Sequence, residues 1–312
     1  FVQTWRATDS ALEWVCASRC DAFLPLDELK EIEATKIGAC AYMIANGSGK
    51  ARSNQGGANR HRHEWRVLFL STGEISVQDH IREGNGKAHA GQEVRVPDIP
   101  SNAGANYGLF EVLHGELDGK AFAQRLNSVT REHYGTAGPE FVRRLFEHAD
   151  KLGDTVRERV RKVSAEMAPA GASNQVLRVA DRFALVAVAG EMASRMGLTG
   201  WPERTAQDAA YACFVAWVDE RGGTENREEL DALARVRGPG ARGDDDGQRV
   251  QLRRVHLCFL LRAASCDDGV DACRRRAARQ DRCHRSRTSR CQNPIRAHRM
   301  PTSASRSTIV PS

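Results

Sequence analysis

What the chain lacks narrows its reading first. No stretch approaches the roughly 18 consecutive apolar residues that a membrane-spanning helix needs, and no basic segment leading into an apolar one opens the chain. Neither a membrane anchor nor a secretory leader is therefore expected, and the expected location is cytoplasmic. No Met stands at the start, where Phe1 is found, which suggests a fragment of a longer protein. No internal repeat recurs at a fixed period, which sets aside solenoids and propellers. The nine cysteines include no paired CxxC knuckles, so the strong signature of a structural zinc site is missing. Lysine is absent from residues 242–312, and glutamate stops at Glu229.

The charge that is present is unevenly spread. The chain has 312 residues, enough for about two domains, and a net charge of +6. Residues 242–312 hold 16 Arg and 7 Asp, which leaves 30 basic and 33 acidic side chains on the first 241 residues. The body thus shows no basic bias, and the positive surplus belongs to the tail. Five of the nine cysteines also fall there (Cys258, Cys266, Cys273, Cys283, Cys291), and "CRRRAARQDRCHRSRTSRC" has neither a helical nor a strand period. Three readings stay open: a zinc site built on Cys273, Cys283, His284 and Cys291, an Arg-rich arm for phosphate backbones, and GC-rich DNA translated out of frame from near Gly238. The third is preferred. It predicts a disordered tail over residues 238–312.

Ahead of that tail two regions can be read. Asp9 can cap a helix over "SALEWVCASRC"; an apolar strand follows at 22–26, then a helix over "ELKEIEATKIGACAYMIAN" that stops at Gly47. "WRVLFLST", residues 65–72, reads as a second buried strand, and "VRVPDIP" as a short third one ended by Pro97 and Pro100. From about residue 116 onward only helical periodicity is found. The expectation is α/β: a partial sheet region over 1–115, an all-α region over 116–237 and the tail over 238–312.

The stretch "DAFLPLDEL", residues 21–29, carries the first chemistry. A strand covered on both faces reads as a continuous apolar run, and in open α/β sheets ligands bind at the C-terminal strand edge. Asp27 and Glu28 emerge there with the shape of a Walker B element, able to hold a metal and activate water. The alternative is a solvated acidic turn. Pro25 lacks a ladder donor and suggests an edge or a bulge. "NGSGKAR" tempts a phosphate-loop assignment, but GxxxxGK[ST] fails because position 44 is Ile and position 51 is Ala. Lys50, Arg52, Arg60 and Arg62 are better read as a DNA-facing loop, or else as a solvated one. His61 and His63 read as solvated, and Trp201 as a packing anchor between helices.

These blocks carry a family resemblance. "WRATDSALEWVCA", "CDAFLPLDEL", "AYMIANGSGKAR", "WRVLFLSTGEIS", "GQEVRVPDIP" and "RVADRFALVAVAGEMASRMGLTGWP" resemble the domain of unknown function 927 family over residues 3–237. Its members are bacterial and phage-associated or mobile-element proteins similar to P-loop helicases and primase-helicases. The resemblance implies a RecA-like or AAA-like NTPase core acting on DNA, with single-stranded DNA and a homo-oligomeric ring as partners of the intact relative. It also implies ATP and Mg2+ as cofactors, with Asp27 holding magnesium and Glu28 handling the attacking water. Ser71 and Thr72 become sensor hydroxyls, and Arg95 a finger reaching a neighbour's site. Without a Walker A loop no tight nucleotide binding is expected of this chain, and the loop is expected upstream of Phe1. Two functions stay open: the NTPase part of a helicase-like protein, inactive alone, or a non-catalytic DNA-binding or scaffolding remnant.

Overall fold

Three short parallel strands organise the first part of the chain. The computed structural model describes residues 2–52, 62–86, 90–226 and 254–259. Strand β1 (Gln3–Thr4) precedes helix α1 (Asp9–Ser18); β2 (Ala22–Asp27) leads through a single 3-10 turn at Leu29–Glu31 to α2 (Ala34–Asn46); β3 (Val67–Gly73) leads to α3 (Val77–Glu83). β2 pairs in parallel with β1 on one side and β3 on the other, Leu24 lying opposite Phe69 and Leu26 opposite Ser71. The α1 and α2 crossovers are what parallel pairing requires.

Local chemistry sets the helix ends. Thr8, rather than Asp9, caps α1, its hydroxyl accepting from the Ala11 amide at 3.3 Å. Asp9 is already helical, where its charge favours the first turn. α2 stops as expected at Gly47, whose φ of 74° is a left-handed cap that glycine enters without steric cost.

The expectation of strands covered on both faces is corrected. Burial alternates along β3: Val67, Phe69 and Ser71 are buried, while Leu68, Leu70 and Thr72 are half-buried. In β2, Leu24 and Leu26 are buried but Phe23 is 39% exposed. The main core lies on one face, where Leu12, Cys16, Ile37, Ile44 and Ile81 from α1, α2 and α3 meet those inward side chains. Each such burial contributes about 1.5–3 kcal/mol. Pro25 fits inside β2 because β1 pairs only with Leu26 and Asp27, which leaves the β1 flank at Pro25 without a ladder partner among the described residues.

The third expected strand is also corrected. "GQEVRV" is largely helical, as α4 (Ala90–Arg95), and only Asp98–Pro100 is extended, as β4. Its partner is β5 (Arg254–Phe259), which lies antiparallel to both β3 and β4 and gives the sheet order β1-β2-β3-β5-β4. Part of the tail expected to be disordered therefore forms a strand; the rest of 238–312, with the proposed zinc residues, lies outside the described residues.

Five helices follow: α5 (Gly119–Glu132), α6 (Ala137–Glu147), α7 (Ala149–Met167), α8 (Asn174–Arg195) and α9 (Thr205–Arg221). Their core reaches back before residue 116. Val94 of α4 and Ile99 of β4 pack with Val179, Phe183, Phe214 and Trp217 of α8 and α9. Arg182 on α8 donates to the Val94 carbonyl. Trp201, expected to anchor helices, is 52% exposed in the α8–α9 connection.

Candidate functional site

The parallel register carries the acidic strand end to its neighbour. Because Leu26 lies opposite Ser71, Asp27 and Thr72 fall side by side at the C-terminal edge. The Thr72 hydroxyl donates to the Asp27 carboxylate, and the Glu28 amide points at the same hydroxyl at 3.5 Å. Asp27 is exposed and Glu28 half-buried. Glu28 adopts φ 56° and ψ 80°, a left-handed conformation that non-glycine residues rarely occupy. Leu29, fully buried just after it, fixes the chain on the far side. Strain of about 1–3 kcal/mol held by surrounding packing is a recurrent property of functional turns. Glu74, on the turn after β3, lies 3.9 Å from Lys30 in the adjacent 3-10 turn.

Ser71 is turned away from this edge. Strand alternation sends it into the core, where it accepts from the Trp5 indole at 2.8 Å and is fully buried. Arg95 is elsewhere again. It lies at the end of α4, its Nε donating to Asn46 at 3.2 Å and its guanidinium 4.4 Å from the centre of the Tyr42 ring. Asn46 ends α2, which runs from the C-terminal edge of β2 back toward the start of β3, so Arg95 sits at the opposite sheet edge from Asp27.

The loop cations are clamped largely by α1. Glu13, 1% exposed, accepts two hydrogen bonds from the Arg52 guanidinium at 2.7 and 2.9 Å and one from the Lys50 amide at 3.1 Å. The Lys50 ammonium reaches Asp9 at 2.5 Å, and this contact holds the Asp9 carboxyl below its ordinary range. Gly49 makes this fit possible, since a Cβ there would stand 2.7 Å from a Glu13 carboxylate oxygen. Arg62 instead bonds neutral oxygens, the Gly49 carbonyl at 2.5 Å and the Ser48 hydroxyl at 2.8 Å. Arg60 and His61 lie outside the described residues, and His63 is exposed. The clamp was missed in sequence because a Glu at a helical position reads as a solvated charge. Among the described residues no group of three or more His, Cys, Asp or Glu could enclose a metal ion, and no helix there is long and apolar enough to cross a membrane.

Residues 1–64 match the sequence model of the domain of unknown function DUF927. That span includes Asp27, Glu28 and Lys50, while Thr72 and Arg95 lie beyond it. A solved structure of SCCmec type IV Cch, an active helicase, is similar at 16% identity and a TM-score of 0.48, over 75% of this chain. The chain spans 39% of the length of that protein. No curated protein matches it.

Proposed function

We propose that β1–β3 form the water-activating part of a P-loop NTPase-like core, in a protein of the helicase-like or primase-helicase-like kind that works on DNA. The observation that carries this reading is the meeting of Asp27, Glu28 and Thr72 at the C-terminal edge of two parallel strands, where α/β folds place ligands. The DUF927 match over residues 1–64 supports it. Asp27 is the residue that would hold a magnesium ion, whose chemistry there is to neutralise phosphate charge. Its donor set fits that ion, which is bound through one or two carboxylates plus substrate phosphates rather than in a closed protein cage. Thr72 orients the Asp27 carboxylate through its hydroxyl. Glu28, in its left-handed turn, accepts a proton from an attacking water or fixes the direction of its lone pair. Ser71, committed to Trp5, takes no part.

The test is hydrolysis. The 312-residue chain is expected to show no magnesium-dependent ATP hydrolysis above background, whereas a chain extended upstream through a GxxxxGK[ST] loop turns over. In that longer chain Glu28→Gln is expected to lower turnover by about 10²–10⁴-fold while nucleotide binding persists, because only the group that handles water is removed. Full activity of the Glu28→Gln form would return Asp27 and Glu28 to the status of an acidic strand end.

A further inference from the structure

A second site lies at the opposite edge of the sheet. Between α2, the 48–50 turn and α4 runs a groove of about 570 Å3, with Gly38, Tyr42, Asn46, Lys50, Arg62 and Gln92 on its walls and no carboxylate among its lining residues. Its cations differ in one respect. Lys50 is neutralised by Asp9, but the contacts of Arg62 and Arg95 are with neutral oxygens and a ring, and among the described residues neither has a carboxylate within ion-pair range. Tyr42, 42% exposed on the groove wall, thus has the unneutralised Arg95 guanidinium over its ring, and the unneutralised Arg62 lines the same groove. Asn46 and Gln92 add amide groups at the same rim.

We propose that this groove holds a single strand of nucleic acid, with one base stacked on the exposed Tyr42 ring and phosphates on Arg62 and Arg95. An aromatic plane beside unpaired cations is what an unpaired strand needs, because every base has a π-face and every linkage a charge. Duplex DNA hides its base faces and gains nothing from Tyr42. This inference rests on the reading of the protein as one that works on DNA and assigns the contact to residues outside the Asp27 edge.

The experiment uses the full 312-residue chain and a fluorescent 15-mer of thymidine, with no ATP, so that its failure leaves the hydrolysis reading standing. Anisotropy titrations over a series of salt concentrations are expected to show binding that Tyr42→Ala weakens about 10-fold and Tyr42→Phe preserves, since the stack needs the ring and not the hydroxyl. Arg62→Gln and Arg95→Gln are each expected to reduce the slope of log affinity against log salt by about 0.7, the value for one phosphate contact on a single strand. Tyr211→Ala, an exposed ring on α9, should change nothing. Circular dichroism confirms that each variant is folded. No binding to the 15-mer, loss of slope with no loss on Tyr42→Ala, or equal dependence on Tyr42 for a duplex of the same sequence overturns the assignment.

Discussion

Ser71 and Thr72 are adjacent hydroxyls with opposite surroundings, and substitution should separate them. Ser71→Ala removes the acceptor of the buried Trp5 indole, and an orphaned buried donor costs about 1–3 kcal/mol. The expected outcome is a lower denaturant midpoint at unchanged m-value, with hydrolysis by the upstream-extended chain intact; lost turnover at unchanged stability would restore Ser71 to the site. A second residue-scale prediction concerns pH. Burial pushes the Glu13 carboxyl up, but the two Arg52 hydrogen bonds and the Lys50 amide outweigh it and hold the group below its ordinary range. A depressed folded-state pKa contributes stability that is complete above the unfolded value, near 4.3, and is lost as pH falls through the folded value. Acid should therefore release the 48–52 turn before it unfolds the core, seen as faster amide exchange at Lys50. Glu13→Gln should reduce that acid dependence to the part that Asp9, bound to the Lys50 ammonium, still contributes; an unchanged acid limb would show that Glu13 is not its source.

At the scale of elements, close backbone approach decides more than charge. A Cβ on Gly190 of α8 would stand 2.5 Å from the Ala206 Cβ of α9, closer than carbon atoms tolerate. Gly190→Ala should therefore force these helices apart and cost about 1–3 kcal/mol despite its better helix propensity. Adding Ala206→Gly should recover much of the loss, read as the coupling in a double-mutant cycle of thermal unfolding; strict additivity would refute the contact. The same distinction between local and tertiary causes explains what the sequence made legible. β2, β3, the stop of α2 at Gly47 and the helices after residue 116 follow from apolar spacing and capping residues, which a sequence displays. So does the pairing of Asp27 with Thr72, since two strands that end in polar residues align once they are parallel. "GQEVRV" misled because its valines suit a strand, while the contacts of Arg95 with Tyr42 and Asn46 are tertiary. β5 is missed when the tail is read as a whole, although Val255, Leu257 and Phe259 recur at the strand period of two, and Glu13 looked like any solvated helical charge until its distances to Lys50 and Arg52 were known.

At the scale of the whole molecule, the question is what joins the parallel strands to the helices that follow. Beside the shared apolar core, Arg221 at the end of α9 reaches back to α4. Its guanidinium, fully buried on the Trp217 ring, lies 3.5 Å from Glu93 and donates to the carbonyls of Gly223 and Glu225, closing the helix end. Buried charges of this kind add little net stability over an apolar pair, but removing one partner leaves the other desolvated at a cost of about 3–5 kcal/mol. Arg221→Met should therefore destabilise the protein, and Glu93→Gln added to it should recover part of the loss, because the stranded carboxylate is then neutral. The location of that cost makes the test specific. If α4 and α9 couple the two regions, the parent chain unfolds in a single transition whether followed by Trp fluorescence or far-ultraviolet circular dichroism. The Arg221→Met form should then split, with helices α7–α9 melting before β1–β3. Coincident transitions in the variant, or separate ones in the parent, would mean that the regions are joined by chain connectivity and apolar contact alone, and that the Glu93–Arg221 pair is local to the end of α9.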